Sequence, residues 1–369
     1  MNADVARPRT LRLSRGRLRL YSVGLALMGV GQIIWAWKFD FWDWKTFASA
    51  GAHVGSAELL HPQNVSISFV YLPGFAWVFA PFAHTSHAVG FAVNAIAMLL
   101  CAGAAALIAS RAYGVSVPLA LALTFAWCPT MNALVIGQNS PAGLLLVMLS
   151  LLGARRNAAL LTAVPIGLLL YKPTYALPLI GLLVLRSRWR EVGIVALIGA
   201  AWYAASISAA GGDVTWPRAW LAVVHGWFGP DFAQNGGKAI GLSALLLRAG
   251  VPGALILAAA AAIVCSAIPM LRRAPVREAY AVACVLGIAL SPHAWGYDAV
   301  LALPLIFLAL DAVPEPPRTI VVCTAYATAP LMIYADAIGL SPLALPVVGG
   351  LAAWFIARGR SMRAARAAT

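Results

Sequence analysis

Charged side chains are scarce in this sequence, and acidic ones are scarcest. Only 10% of its 369 residues are charged, and just 12 are Asp or Glu. Because soluble chains carry about 25% charged residues, this shortage excludes an ordinary soluble enzyme and a disordered chain. The net charge of +14 comes from short basic clusters between apolar stretches. A nucleic-acid-binding module would gather such residues into one patch, so we expect no nucleic-acid partner.

Motifs for metals, nucleotides and activated nucleophiles are also missing. The five cysteines lie in apolar runs, without the Cys/His spacing of a metal site or the even set of a disulfide framework. The sequence contains no HExxH, DxD, P-loop or GxSxG motif. We therefore expect neither a metal nor a cofactor. A membrane enzyme without a nucleotide-binding motif would need an activated donor that is already in the membrane, and a lipid-phosphate sugar is such a donor.

Apolar stretches take up most of the chain. Hydrophobic residues make up 62% of the sequence, and the mean hydropathy is +0.84. Since a spanning helix needs about 20 mainly apolar residues, the sequence predicts an all-α integral membrane protein. We expect one domain over residues 1–369, with its bilayer as a partner. Twelve spans are predicted near residues 18–37, 88–110, 115–131, 140–154, 158–171, 174–186, 191–208, 250–271, 278–292, 298–311, 319–335 and 341–357.

The arginines indicate the topology. The run 65–83 is interrupted by Pro73 and Pro81, and we interpret it as an interfacial helix at the outer face. All arginines except Arg218 and Arg248 then lie inside, as the positive-inside rule requires. Both termini are predicted to be cytoplasmic, which suits a multi-pass protein of the plasma membrane.

The same topology assigns the titratable residues to one side of the membrane. All histidines and lysines and most acids fall at the outer face. The two long outer segments are residues 38–87 and 209–249. Because ionisable residues and long loops mark functional surfaces in membrane proteins, the active site is predicted there.

Two acids begin the first outer segment. Asp40 and Asp43 lie three residues apart, so a helix would place them on one face, with Lys45 nearby. A carboxylate there can act as a general base. Alternatively, both acids are solvated loop residues.

Four other features combine polar residues with membrane depth, and each also has a structural interpretation. Tyr71 precedes Pro73 in a predicted elbow that would form a groove wall. The amides of Gln138 and Asn139 can bind sugar hydroxyls or cap helices. The lone lysine, Lys172, can bind a phosphate or extend its ammonium group to lipid headgroups. His293, close to Trp295, can act in the site or form a hydrogen bond with the backbone.

In order, these features resemble the GT-C superfamily of membrane glycosyltransferases, and most closely glycosyltransferase family 87. Asp43 through Gly51 fits the family's first-loop pattern, although Asp40 fits an alternative register. The other matching segments are Tyr71-Leu72-Pro73, Gly137-Gln138-Asn139, Gly167 through Lys172-Pro173, and Ser291-Pro292-His293-Ala294-Trp295. The chain departs from the family pattern at Leu72, where proline is usual, and after Trp295, where Asp-His is usual.

The resemblance implies a GT-C-like bundle and an inverting transfer of a hexose, expected to be mannose. A polyprenyl-phosphate sugar would be the donor, and a hydroxyl of a glycolipid or glycan the acceptor. Asp43, or Asp40 in the other register, would be the base. The cations expected to bind the donor phosphate are Lys172, Lys45, Arg218 and Arg248. The substrate-binding residues would be Tyr71, Gln138, Asn139, His293 and Trp295, and no metal is implied.

Two alternatives stay open at the level of sequence. A lipid or sugar transporter or flippase would also span the membrane many times, but it would place charges at the midplane and often show repeat symmetry. Another outer-face glycosyltransferase, for arabinose or glucose, would share all these features.

Overall fold

The computed structural model describes residues 42–60, 69–312, 326, 341 and 344–367. Within these residues all regular secondary structure is helical, apart from one isolated bridge between Ala239 and Trp295. The all-α prediction is confirmed for this part of the chain. Asp40 and the predicted spans 18–37 and 319–335 lie outside it, save for Tyr326.

The described residues contain fourteen α-helices. We number them α1 Trp42–Ala52, α2 His87–Tyr113, α3 Val117–Ala126, α4 Cys128–Ile136, α5 Ser140–Arg155, α6 Ala159–Leu168, α7 Pro173–Leu185, α8 Trp189–Ala209, α9 Trp216–Asn235, α10 Leu242–Arg248, α11 Gly253–Arg273, α12 Val276–Leu290, α13 Leu303–Ala312 and α14 Ala344–Ala367. Short 3₁₀ helices are Ala57–Leu60, Pro73–Val78, Ala80–Phe82, Leu169–Tyr171, Gly236–Lys238 and Gly296–Ala302.

Three helices, α2, α8 and α11, are long and apolar enough to cross a bilayer. The pair α3 and α4 would make a fourth span if its two halves, bent by 61°, cross together. Several other predicted spans coincide with apolar helices of only 10–17 residues, among them α5, α6 and α7. Three or four spans are therefore defined in the described residues, and the count of twelve stays a prediction.

The break between α3 and α4 has a local cause. Pro129 has no backbone N–H to continue the helical ladder, and Trp127 takes an extended conformation with ψ of 106°. The indole of Trp127 is fully buried, and its Nε1–H donates to the carbonyl of Ala299 at 2.8 Å. The bend is thus tied to the segment that follows α12.

Apolar side chains cover the outer faces of the long helices. Leu100 on α2, Leu197 on α8 and Leu257 on α11 are each at least two-thirds exposed. Water-soluble monomers rarely expose apolar patches of such extent. These faces therefore suit contact with lipid, and they agree with a membrane protein.

Of the run 65–83, predicted as an interfacial helix, residues 69–83 are described, and they form two short 3₁₀ helices. Pro73 starts the first, Pro81 lies in the second, and each removes a backbone donor. Phe75 and Phe79 point into the core, where Phe79 stacks on Phe47 of α1 with ring centroids 4.7 Å apart. A single continuous helix is thus not formed, and a position at the membrane interface stays a prediction.

The helices around α1 position the residues discussed below. Helix α5 packs against α2 and α6, α8 packs against α6 and the 73–78 turn, and α12 packs against α7. Gly137 ends α4 with φ of 85°, a left-handed conformation that favours glycine. A Cβ at this glycine would lie 2.8 Å from the Cβ of Trp44. The α4–α5 junction and α1 are therefore in direct contact.

This contact predicts a difference between two glycine substitutions. Gly55 has φ of 84°, but a Cβ there would meet nothing within 4 Å. Both alanine variants should lose about 1 kcal/mol to backbone strain, whereas Gly137→Ala should lose about 1–3 kcal/mol more through overpacking against Trp44. Thermal unfolding in detergent measures this difference, and equal losses in both variants would contradict the packing described here.

Candidate active site

Asp43 lies in the first turn of α1, on a helix that aromatic packing holds in place. Trp44 and Phe47 are fully buried, and the Trp44 ring meets Phe82 edge-on at 5.4 Å. The partial positive charge at a helix N-terminus favours a carboxylate in this first turn. Asp43 as a whole residue is partly exposed.

Gln138 joins Asp43 to Tyr71. Its Nε2 donates to Asp43 Oδ2 at 2.7 Å, and its Oε1 accepts from the Tyr71 hydroxyl at 2.9 Å. An ionised carboxylate can only accept hydrogen bonds, which decides the orientation of the amide. Asn94 supports the same junction by donating to the carbonyl of Gly137 at 3.2 Å. The two predicted substrate-binding residues Gln138 and Tyr71 are thus brought together with the predicted base.

A buried ion pair lies beside this network. Lys172 Nζ pairs with Asp298, and the side chains of the two residues are only 12% and 2% exposed. Tyr175 also donates to Asp298, and its hydroxyl lies 3.0 Å from Ser140 Oγ. The second oxygen of Asp298 accepts the backbone N–H of Trp295 at 2.8 Å. The positive charge of Lys172 is therefore balanced within the protein.

Three tyrosine rings surround the same ammonium group. Lys172 Nζ lies 4.6 Å from the ring centroid of Tyr175, 5.0 Å from that of Tyr297 and 5.8 Å from that of Tyr71. Ring faces attract cations at these distances. Lys172 is accordingly a buried, oriented group and does not snorkel towards headgroups.

His293 is held among aromatic rings. Its Nε2 accepts from Trp295 Nε1 at 3.0 Å, so the proton of the neutral ring sits on Nδ1. The ring of Trp227 on α9 meets it edge-on at 4.5 Å. Burial, assisted by the charge of Lys172, lowers the pKa of His293 to about 3. His293 is therefore neutral at physiological pH and supplies no positive charge.

The Asp43 carboxyl has the properties of a general base. Burial of the carboxyl raises its pKa to about 6. The hydrogen bond from Gln138 and the charge of Lys172 lower this pKa, whereas the nearby charges of Asp231 and Asp298 raise it. A base with a pKa just below the working pH is ionised and still accepts a proton readily.

Other predicted residues lie farther from these contacts. Arg218 is exposed on α9, and Arg248 is exposed at the end of α10, where it donates to the carbonyl of Gly236 at 3.5 Å. Lys45 is partly buried on α1, two residues beyond Asp43. Asn139 is buried, and its Nδ2 has no hydrogen-bond partner among the described residues. Their roles in binding stay predictions.

Three residues that the sequence did not mark as site residues join the cluster. Asp298 and Tyr175 contact Lys172, and Asp231 on α9 acts electrostatically on Asp43. The sequence contained a signal for Asp298, because a lysine at membrane depth usually pairs with an acidic residue. Tyr175 follows Lys172 by three residues, at helical spacing. Nothing in the sequence distinguished Asp231 from the other outer acids.

A cavity of about 240 Å³ adjoins α1 on the side of Trp44. Ser49, His53, Phe82 and Ser86 are among its lining residues, but Asp43 and Lys172 are not. It is therefore separate from the polar cluster.

These features define a class: a multi-span helical membrane protein with a buried network of acids, amide, lysine and tyrosines. The model of glycosyltransferase family 87 matches residues 69–294, more than half of the chain. The chain belongs to this family, which is of the GT-C type, and this indicates a membrane glycosyltransferase. No curated protein and no solved structure matches the chain. The match includes Gln138 and Lys172, whereas Asp43 and Asp298 lie beyond its two ends.

The Lys172–Asp298 pair generates a prediction about stability. Lys172→Met should destabilise the protein by about 3 kcal/mol, because it leaves a buried carboxylate without its counter-ion. Adding Asp298→Asn should restore much of that loss, since neither charge then remains. A double-mutant cycle of thermal unfolding in detergent measures this coupling. Additive losses in the double variant would show that the pair is not a structural unit.

Proposed function

We propose that this glycosyltransferase moves a hexose, expected to be mannose, from a polyprenyl-phosphate donor to a hydroxyl of a glycolipid or glycan. Asp43 is the general base in this proposal. The observation that carries it is the Asp43 carboxyl, with its pKa near 6 and one oxygen held by Gln138. The family match supports the class of reaction.

In this proposal the two oxygens of that carboxyl have separate roles. Gln138 donates a hydrogen bond to Asp43 Oδ2, and no hydrogen bond within the described part of the chain involves Oδ1. Oδ1 accepts the proton of the acceptor hydroxyl while the hydroxyl oxygen attacks the anomeric carbon of the donor sugar. The bond between that carbon and the donor phosphate breaks, and polyprenyl phosphate leaves with the bonding electrons. One displacement inverts the anomeric configuration.

The leaving phosphate needs positive charge. We assign this role to Lys172, Lys45, Arg218 and Arg248, as the resemblance implies. Lys172 already pairs with Asp298, so it would meet the phosphate as part of a neutral pair. Lys45 lies two residues beyond Asp43 on α1.

Substrate contacts are assigned to residues around the same cluster. Asn139 Nδ2 is a buried donor without a partner in the described residues, which suits a sugar oxygen. His293 and Trp295 present an aromatic wall. The prenyl chain would follow the 73–82 segment, where Trp77 and Val78 are 46% and 52% exposed beside the buried Phe75.

The location of the reaction is part of the proposal. We place the site at the outer face of the plasma membrane, with both termini cytoplasmic, because arginines cluster on the opposite side of the apolar helices. Residues 1–369 then act as one domain.

Asp43→Asn tests the proposal directly. The variant should lose transfer about 10³-fold or more, because the amide cannot accept the hydroxyl proton, while its thermal stability stays close to wild type. The assay incubates purified protein with polyprenyl-phosphate mannose and a membrane glycolipid extract, and it detects labelled product. Asp40→Asn is the matched control and should be milder.

Near-normal transfer by Asp43→Asn would remove Asp43 as the base, and a reversed ranking would assign that role to Asp40. A transporter would move the donor between leaflets without forming product. Labelled donor that crosses a vesicle membrane unchanged would therefore contradict the transferase proposal.

The raised pKa predicts the acid side of the rate profile. Transfer should fall as the pH drops through about 6, where Asp43 becomes protonated. Gln138→Leu removes a hydrogen bond that lowers this pKa, so its profile should shift to higher pH. The measurement is kcat/KM against pH for both proteins. If Gln138→Leu shows the same pH profile as wild type, Gln138 does not influence the pKa of the base.

A further inference from the structure

Several polar atoms around the candidate active site are buried without a hydrogen-bond partner in the described part of the chain, and two of them lie on or against α9. One is Asp231 Oδ2 on α9, and the other is His293 Nδ1 in the turn after α12. Buried polar atoms without partners cost about 1–3 kcal/mol each. Such atoms are therefore candidates for contact with a ligand.

The two atoms have opposite hydrogen-bonding character. Nδ1 of His293 carries the ring proton, because Nε2 accepts from the indole of Trp295. Asp231 uses its other oxygen to accept from Asn235 Nδ2 at 2.9 Å, which leaves Oδ2 as a free acceptor. A group that both donates and accepts can satisfy the two atoms together.

Helix α9 links these two residues through Trp227. Trp227 and Asp231 lie four residues apart, so they share one face of α9. The Trp227 ring meets His293 edge-on at 4.5 Å and stays partly exposed. Asp231 is close enough to Asp43 for its charge to raise the pKa of that carboxyl. Asp231 and Asp43 are therefore within electrostatic range of each other.

We propose that Asp231, His293 and Trp227 form a hexose-binding subsite beside Asp43. A sugar hydroxyl donates to Asp231 Oδ2, and an oxygen of the same sugar accepts from His293 Nδ1. The partly exposed indole of Trp227 covers an apolar face of the pyranose. This subsite rests on the proposed function for its place in the reaction, since it would orient one of the two sugars next to the base.

Other ligands fit these groups less well. The carboxylate of Asp231 repels a phosphate, and a metal cation cannot pair with the protonated Nδ1 of His293. An acyl chain would leave both polar atoms unsatisfied. A neutral polyhydroxylated ring offers donors, acceptors and C–H groups at once.

The test measures sugar binding without any transfer reaction. Saturation-transfer-difference NMR is recorded on the purified full-length protein in detergent with methyl α- and β-pyranosides of mannose, glucose and galactose. At least one glycoside should bind to wild type, and the signal should fall about tenfold in Asp231→Asn. Asp213→Asn is the matched control, because Asp213 is an acid just before α9 whose Oδ1 accepts from the backbone N–H of Thr215 at 2.7 Å.

Asp231→Asn keeps the oxygen that Asn235 needs, so the fold should survive. Trp227→Leu provides a second test that removes the stacking surface and should also abolish the signal. Absence of binding to wild type, or equal binding by wild type and both variants, would overturn the subsite. Glycoside binding that depends on Asp231 supports the subsite even if polyprenyl-phosphate mannose is not turned over, and in that case only the proposed donor fails.

Discussion

The hydrogen bond from the Gln138 amide to Asp43 connects parts of the chain that are distant in sequence. Asp43 lies on α1, Tyr71 precedes the 73–78 turn, and Gln138 lies between α4 and α5. Both ends of the amide are used, so each partner limits where the other can lie. The close contact between Gly137 and Trp44 adds a steric constraint at the same junction. The amide therefore helps to fix the position of the candidate base, and it also lowers the pKa that burial raises.

Charge balance is the second constraint on the site. The Lys172–Asp298 pair is nearly inaccessible to solvent, and its geometry is completed by Tyr175 and Trp295. Because the pair is neutral, it stabilises a polar centre in an apolar bundle without leaving a buried net charge. Burial raises the pKa of Asp43, and the hydrogen bond from Gln138 and the charge of Lys172 offset only part of this rise. The resulting pKa lies in a range that suits proton abstraction.

The sequence predicted the helical class and the boundaries of many helices, since apolar runs alone indicate them. It also selected Asp43, Gln138 and Lys172, because polar residues at membrane depth are rare enough to stand out. It did not predict that Lys172 is paired with Asp298, since these positions meet only through the packing of α7 against α12 and the turn that follows. It also did not predict that residues 73–82 of the expected interfacial segment form two short 3₁₀ helices, in which each proline removes a backbone donor.

The central claim is that the protein environment holds the Asp43 carboxyl at a pKa near 6. Infrared difference spectroscopy tests it directly, by comparing wild type with Asp43→Asn while the carboxylic C=O band is titrated. The account predicts one band, lost in the variant, with a midpoint at about pH 6. A midpoint near pH 4, the value of an ordinary aspartate at about 3.9, would contradict it.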